Sequence, residues 1–183
     1  MALEFYGRES ELEVLDALWA SSREEFLVLY GRRRVVKTAL LAEWIPRTGN
    51  RALYWVASPT SAAAQLRSFS QSIYNFGNPG SPAPDGFTYI SWEQAFQQVT
   101  RLAKDGRMAL FIDEFTYLLE VDPGIAGLLQ NIWDHILKQS NIFLCLSGSH
   151  LGMMKREFFS YQAPLYGRAS AQIHLQPFYF GAT

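Results

Sequence analysis

The sequence predicts an α/β fold, a parallel sheet of about five strands with helices packed on both faces. Three observations predict it. Short apolar runs alternate with helical patterns along the whole chain. One of those runs, Leu27-Val28-Leu29-Tyr30, feeds a turn that begins at Gly31 and ends at Lys37-Thr38. Another, Met108-Ala109-Leu110-Phe111-Ile112, closes on the paired carboxylates Asp113 and Glu114.

In chain order, a first helix is expected at 9–20, where Leu12, Leu15 and Leu18 fall on one face. A strand at 26–30 follows, apolar throughout as a strand buried on both faces should be. The turn after it leads into a helix at 37–44, and a second strand is expected at 52–57. Ser61 opens a helix over 61–74 and Ser91 one over 91–104, the latter with Glu93 in its first turn; both serines are capping residues. Between them, Gly77 to Gly86 is punctuated by Gly and Pro throughout and reads as a long surface loop. Strands at 108–112 and 142–147 bracket a helix at 125–139. A helix at 150–158 and a short fifth strand at 173–175 complete the pattern.

The turn from Gly31 to Thr38 has the layout of a phosphate-binding loop: Gly, four variable residues, Gly, Lys, then Ser or Thr. Gly31, Arg32, Arg33, Arg34, Val35, Val36, Lys37, Thr38 and Ala39 cover it, with Val36 where the second Gly belongs. In such a loop, backbone N–H groups and the positive end of the following helix converge on phosphates. Lys37, expected to be solvent-reachable, would meet the β- and γ-phosphates, and Thr38 would offer its hydroxyl to Mg²⁺. A β-branched residue resists the φ values that Gly takes there. If the loop keeps its shape, Val36 costs on the order of 1–3 kcal/mol, roughly one to two decades of affinity. The three arginines read as outward-facing, the cradle itself being backbone.

Asp113 and Glu114 fall where ligands bind in open α/β sheets, at the carboxyl end of a strand. Asp113 is placed to hold the Mg²⁺ shell and Glu114 to polarise an attacking water. An acidic helix start is the other reading of the pair, and the preceding Lys37-Thr38 argues against it.

The chain has 183 residues, 49% hydrophobic and 18% charged, enough for one core and a single domain over 1–183. A net charge of −1 supplies no basic field for nucleic acid or an anionic membrane. No apolar stretch approaches membrane-spanning length and no secretory leader is legible, which makes the cytoplasm the expected compartment. Cys145 is the single cysteine and reads as a buried small apolar residue. His135, His150 and His174 lack metal-ligand spacing. Trp44, Trp55, Trp92 and Trp133 sit at core-like positions, and no basic residues interleave with them as a stacking platform would need.

Five segments in this order, Phe5-Tyr6-Gly7-Arg8-Glu9, Tyr30-Gly31-Arg32-Arg33-Arg34, Phe111-Ile112-Asp113-Glu114-Phe115, Leu146-Ser147-Gly148-Ser149-His150 and Pro164-Leu165-Tyr166-Gly167-Arg168, resemble the archaeal-type ATPases of the AAA/STAND group. The resemblance covers nearly the whole chain. It implies a P-loop NTPase three-layer sandwich, ATP and Mg²⁺ as ligands, and hydrolysis coupled to conformational change. It also implies that Tyr6, Gly7 and Arg8 lie beside the adenine, that Ser147 or Ser149 senses the γ-phosphate, and that Arg168 acts as an arginine finger or sensor, from the same or a neighbouring chain. In that family a helical lid follows the core, often with a winged-helix or nuclease-like region, and neither is legible in this sequence.

Simpler roles stand beside these. Gly7-Arg8-Glu9 also fits a turn and helix start, Ser149 a cap for the helix near His150, and Arg168 a solvated surface charge. Two functional alternatives stay open: a degenerate nucleotide-binding or scaffold domain with little turnover because of Val36, and a P-loop small-molecule kinase. Against the kinase, Glu114 directly follows the metal carboxylate, and no acceptor-binding motif is legible. No Asn-Lys-x-Asp motif marks guanine, which favours ATP.

Overall fold

Strand β1 (Glu25–Tyr30) is buried along its whole length because it runs through the middle of the molecule. The coordinates are a computed structural model, which describes residues 8–32 and 37–177. In chain order they show α1 (Glu9–Ala20), β1, α2 (Lys37–Trp44), β2 (Ala52–Val56), α3 (Ala62–Gly77), α4 (Trp92–Lys104), β3 (Met108–Asp113), α5 (Thr116–Val121), α6 (Ile125–His135), β4 (Ile142–Gly148), α7 (Leu151–Phe159) and β5 (Ala171–His174). The five strands form one sheet in the order β2-β3-β4-β1-β5, every described pairing parallel. The expected α/β class and strand number are therefore what the chain adopts.

Alternation along the strands splits the core into two layers. Phe26, Val28, Leu110, Ile112, Leu144 and Leu146 point to one face, under α3 to α7. Leu27, Leu29, Phe111, Phe143 and Cys145 point to the other, under α1 and α2. On that second face Trp44 is fully buried and meets Phe111 and Phe143 edge-on, with ring centroids 5.7 Å apart in each case. Such pairs are worth about 0.5–1.5 kcal/mol beyond their buried area. The Trp44 indole N–H donates to Asp16 at 2.9 Å and so fastens α2 to α1. Trp55, Trp92 and Trp133 are buried on the opposite face, so packing accounts for all four expected core tryptophans.

The caps form as the sequence reading has them: Ser61 Oγ accepts from the Ala64 amide at 3.2 Å and Ser91 Oγ from the Gln94 amide at 3.1 Å. Three elements differ. The expected helix at 125–139 stops at His135 and tightens into a short 3₁₀ turn, Leu137–Gln139. The fifth strand is Ala171–His174, shifted toward the amino end because it follows the register Leu27↔Ala171 to Tyr30↔His174. Helix α5 has no counterpart in the sequence reading; it is short and begins at Phe115 without a side-chain cap.

Strand β1 is the switch point of this sheet. Its sequence neighbour β2 lies at one edge, whereas β4 and β5 flank it in space. Connections leave such a point in opposite directions, which opens a crevice at its carboxyl end where ligands bind.

Candidate functional site

At the carboxyl end of β1, Gly31 donates its N–H to the Gly148 carbonyl at 3.3 Å. A methyl group at Gly31 would stand 2.9 Å from the Leu175 carbonyl oxygen and 3.1 Å from Leu175 Cβ. Glycine is therefore required for packing against the end of β5. Arg32 is exposed, as expected. Arg33, Arg34, Val35 and Val36, like Tyr6 and Gly7, lie outside the described residues.

Lys37 begins α2, followed by Thr38 and Ala39. The expectation of a solvent-reachable Lys37 does not hold: at the head of α2 it is only 5% exposed. Thr38 is exposed, and its hydroxyl is directed at Asp113 Oδ2, 3.5 Å away.

Asp113 ends β3 with 2% exposure. Ser147 Oγ donates to its Oδ1 at 2.7 Å, and the Glu114 amide donates to the same oxygen at 2.8 Å. Oδ2 receives the Tyr54 hydroxyl at 2.5 Å. Burial first, then donation to the Asp113 carboxylate, holds the Tyr54 phenol well above its ordinary pKa, so it keeps the proton it donates. Cys145, deeper on the same face, is fully buried, and desolvation reinforced by the Asp113 charge keeps it a thiol.

Glu114 turns the chain out of β3 with φ of 53°, a left-handed conformation in a non-glycine residue. Its carboxylate is half-buried and accepts from Ser149 Oγ at 3.0 Å and 3.3 Å on its two oxygens. Ser149 thus faces the carboxylate and does not cap α7. His150 does, its Nδ1 accepting from the Met153 amide at 3.0 Å. His174 is stacked on Tyr30 at 4.6 Å, so structural contacts occupy two of the three histidines.

Arg8 is brought to the same end of the sheet. It is 5% exposed, pairs with Glu11 at 3.1 Å and donates to the Gln176 carbonyl at 2.8 Å, one residue beyond the Leu175 that packs on Gly31.

Arg168 is not brought there. It pairs with Asp134 at 3.0 Å and donates to the Tyr166 carbonyl at 3.1 Å. With Glu25, Trp133 and Lys138 it lines a cleft of about 490 Å³ at the amino end of β1. Six residues of strand separate that end from the loop, roughly 17–20 Å. The expectation that Arg168 serves a phosphate site in its own chain is corrected by this placement.

The sequence by itself marks no role for Tyr54. The available signal was a phenol, apolar in body and polar at its tip, inside an otherwise apolar strand. What it donates to depends on the pairing of β2 with β3.

Chemically, the cluster offers a buried ammonium, a helix N-terminus, a hydroxyl beside a carboxylate, and a second carboxylate beside a hydroxyl. Thr38 and Asp113 supply hard oxygens, which suit Mg²⁺. Among the described residues, no group of three or more His, Cys, Asp and Glu could hold a metal alone. No helix among the described residues is long and apolar enough to cross a membrane.

Known proteins resemble this chain in sequence and in fold. The family described as an ATPase domain predominantly from Archaea matches residues 5–183. An uncharacterized protein of Methanocaldococcus jannaschii is 30% identical over 176 residues, covering 96% of this chain and 36% of that protein. The chain thus spans about a third of that relative's length. An uncharacterized ATP-binding protein of the same organism is 42% identical over 41 residues, 22% of this chain and 70% of that one. Among solved structures, the Walker-type ATPase PABY2304 of Pyrococcus abyssi superposes with a TM-score of 0.64 at 21% identity, over 93% of this chain and 53% of that one. The ORC2 protein of Aeropyrum pernix, in ADPNP–ADP complexes, gives 0.63 at 17% identity over 94% and 48%. Cdc6p of Pyrobaculum aerophilum gives 0.65 at 17% over 94% and 46%. At these identities the structural likeness is one of fold.

Proposed function

Because this chain belongs to the family of ATPase domains found predominantly in Archaea, we propose that it binds Mg-ATP across the carboxyl ends of β1, β3 and β4 and hydrolyses it, coupling the cycle to movement of adjoining segments. The observation that carries this reading is the convergence of Thr38, Ser147 and Tyr54 on Asp113, with Ser149 on Glu114 beside it.

In this reading the loop from Gly31 to Ala39 cradles the phosphates with backbone N–H groups, and Lys37 sets its ammonium against the β- and γ-phosphates. Thr38 and Asp113 hold the Mg²⁺ shell; when bound, the ion neutralises charge on the phosphate oxygens. Glu114 orients water and accepts its proton. Ser147 supports the metal carboxylate, and Ser149 faces the region where a γ-phosphate and a water would meet. Tyr6, Gly7 and Arg8 border the adenine, a role supported by the bond from Arg8 to Gln176 next to Gly31. Arg168 serves a neighbouring copy in a homo-oligomer, since its own loop is a strand's length away.

Isothermal titration of Mg-ATP into the purified chain tests the proposal. A micromolar dissociation constant supports it; no heat and no thermal shift at millimolar Mg-ATP overturns it. Val36 favours a second reading, a module that binds nucleotide with little turnover. Micromolar binding without phosphate release selects that one.

A further inference from the structure

Tyr54 and Asp113 occupy adjacent strands and the same face of the sheet. Tyr54 is in register with Phe111, and Asp113 lies two residues further along β3. A long aromatic side chain spans such a diagonal, and the Tyr54 hydroxyl reaches Asp113 Oδ2 at 2.5 Å. A carboxylate has about four lone-pair positions. On Asp113, Ser147 and the Glu114 amide occupy Oδ1 at 2.7 and 2.8 Å, and Tyr54 occupies one side of Oδ2. The remaining contact, from Thr38 at 3.5 Å, is the slack one. The three short bonds come from three different places in the sheet and leave the carboxylate one open direction, toward Thr38.

We propose that Tyr54 is a positioning residue of the metal site: its hydroxyl turns the Asp113 carboxylate so that the free side of Oδ2 meets Thr38 and the Mg²⁺ shell. This role rests on the phosphate-loop reading above. Tyr54 does not touch nucleotide in this scheme; its effect passes through Asp113 and through the Thr38 hydroxyl, which also lies within hydrogen-bonding reach of the phenol. Outer-shell hydrogen bonds of this kind govern metal affinity because they fix the orientation and basicity of the group behind the ion.

The test is Tyr54→Phe in the whole chain, which keeps the ring and its packing. A fluorescent ATP analogue is titrated first in EDTA and then at increasing Mg²⁺. The expected result is a roughly tenfold rise in the Mg²⁺ concentration giving half-maximal binding enhancement, with affinity in EDTA unchanged. Loss of a buried hydrogen bond lowers the melting temperature under any role, so melting is not the readout. An unchanged Mg²⁺ midpoint in the folded variant overturns the proposal and leaves Tyr54 a core hydroxyl. Equal losses of affinity with and without Mg²⁺ also overturn it, by showing a general distortion of the loop. If the parent chain binds no analogue under either condition, the phosphate-loop reading itself fails, and this role with it.

Discussion

Ser149 Oγ stands 3.0 Å and 3.3 Å from the two carboxylate oxygens of Glu114, so the residue after β4 grips the residue after β3. The grip matters because Glu114 has a φ of 53°, a conformation that costs a non-glycine residue on the order of 1–3 kcal/mol unless its surroundings hold it. Its amide is committed to Asp113 and its carboxylate to Ser149, which together fix where the carboxylate points.

Glu114→Gln keeps the side chain's shape and an amide oxygen that still accepts from Ser149, and removes the negative charge together with the capacity to take a proton. We predict Mg-ATP affinity within a few fold of the parent and hydrolysis lower by roughly 10²–10⁴. Steady-state phosphate release checks this, on a Val36→Gly background if the parent turns over too slowly. An undiminished rate moves the base to another group.

Lys37→Ala is predicted to abolish Mg-ATP binding. Because the side chain is buried at the head of α2, the Ala variant also loses packing; Lys37→Met keeps the stem and removes the charge. Calorimetric titration of both variants should show no binding while circular dichroism stays native. Retained affinity in folded Lys37→Met contradicts the phosphate-loop assignment.

Val36→Gly is predicted to raise nucleotide affinity or turnover by removing a β-branched side chain from the loop. Without ligand its melting point moves little, because glycine's unfolded-state entropy, roughly 0.5–1 kcal/mol, opposes any relief of strain. Mg-ATP should raise the melting temperature of the Gly variant more than that of the parent. Equal shifts would show that the loop tolerates valine and would remove the main support for the low-turnover reading.

Gly31→Ala drives a methyl group to 2.9 Å from a backbone carbonyl, and backbone yields less readily than a side-chain tip. The predicted loss of stability is about 1–3 kcal/mol, read as a lower urea midpoint at unchanged slope. An unchanged midpoint means that β5 and the loop separate without cost.

Arg168→Ala breaks a partly exposed ion pair with Asp134, so its predicted effect on stability is below about 1 kcal/mol. As a residue serving a neighbouring copy, it should matter for turnover only at protein concentrations where copies associate. Phosphate release measured across a dilution series checks this. Equal rates for Arg168→Ala and parent at every concentration leave Arg168 only its bond to Asp134.

The strands were legible because a central parallel strand has to be apolar on both faces, and Glu25–Tyr30, Met108–Asp113 and Ile142–Gly148 are buried at every position. The turn after β1 and the two carboxylates closing β3 stand out in the sequence because local spacing alone marks them. Helix α5 was not, since Thr116–Val121 is too short to display a helical period and has no cap residue. Tyr54 was not, because its bond to Asp113 depends on the register of two strands far apart in sequence. The position of Arg168 was within reach of the sequence: a residue just before a strand of a parallel sheet lies at the amino end, opposite Ser147 and Ser149, which close one.

The contact of Leu175 with Gly31 has a mechanical side. Leu175 donates its amide to the Tyr30 carbonyl at 2.8 Å, and the next residue, Gln176, is held through its carbonyl by Arg8. These bonds tie the backbone leaving β5 to the end of β1 and to the head of α1, and the approach at Gly31 leaves no room for a side chain between them. The exits of β1 and β5 are therefore stitched to each other, and a displacement of one strand end has to carry the other with it.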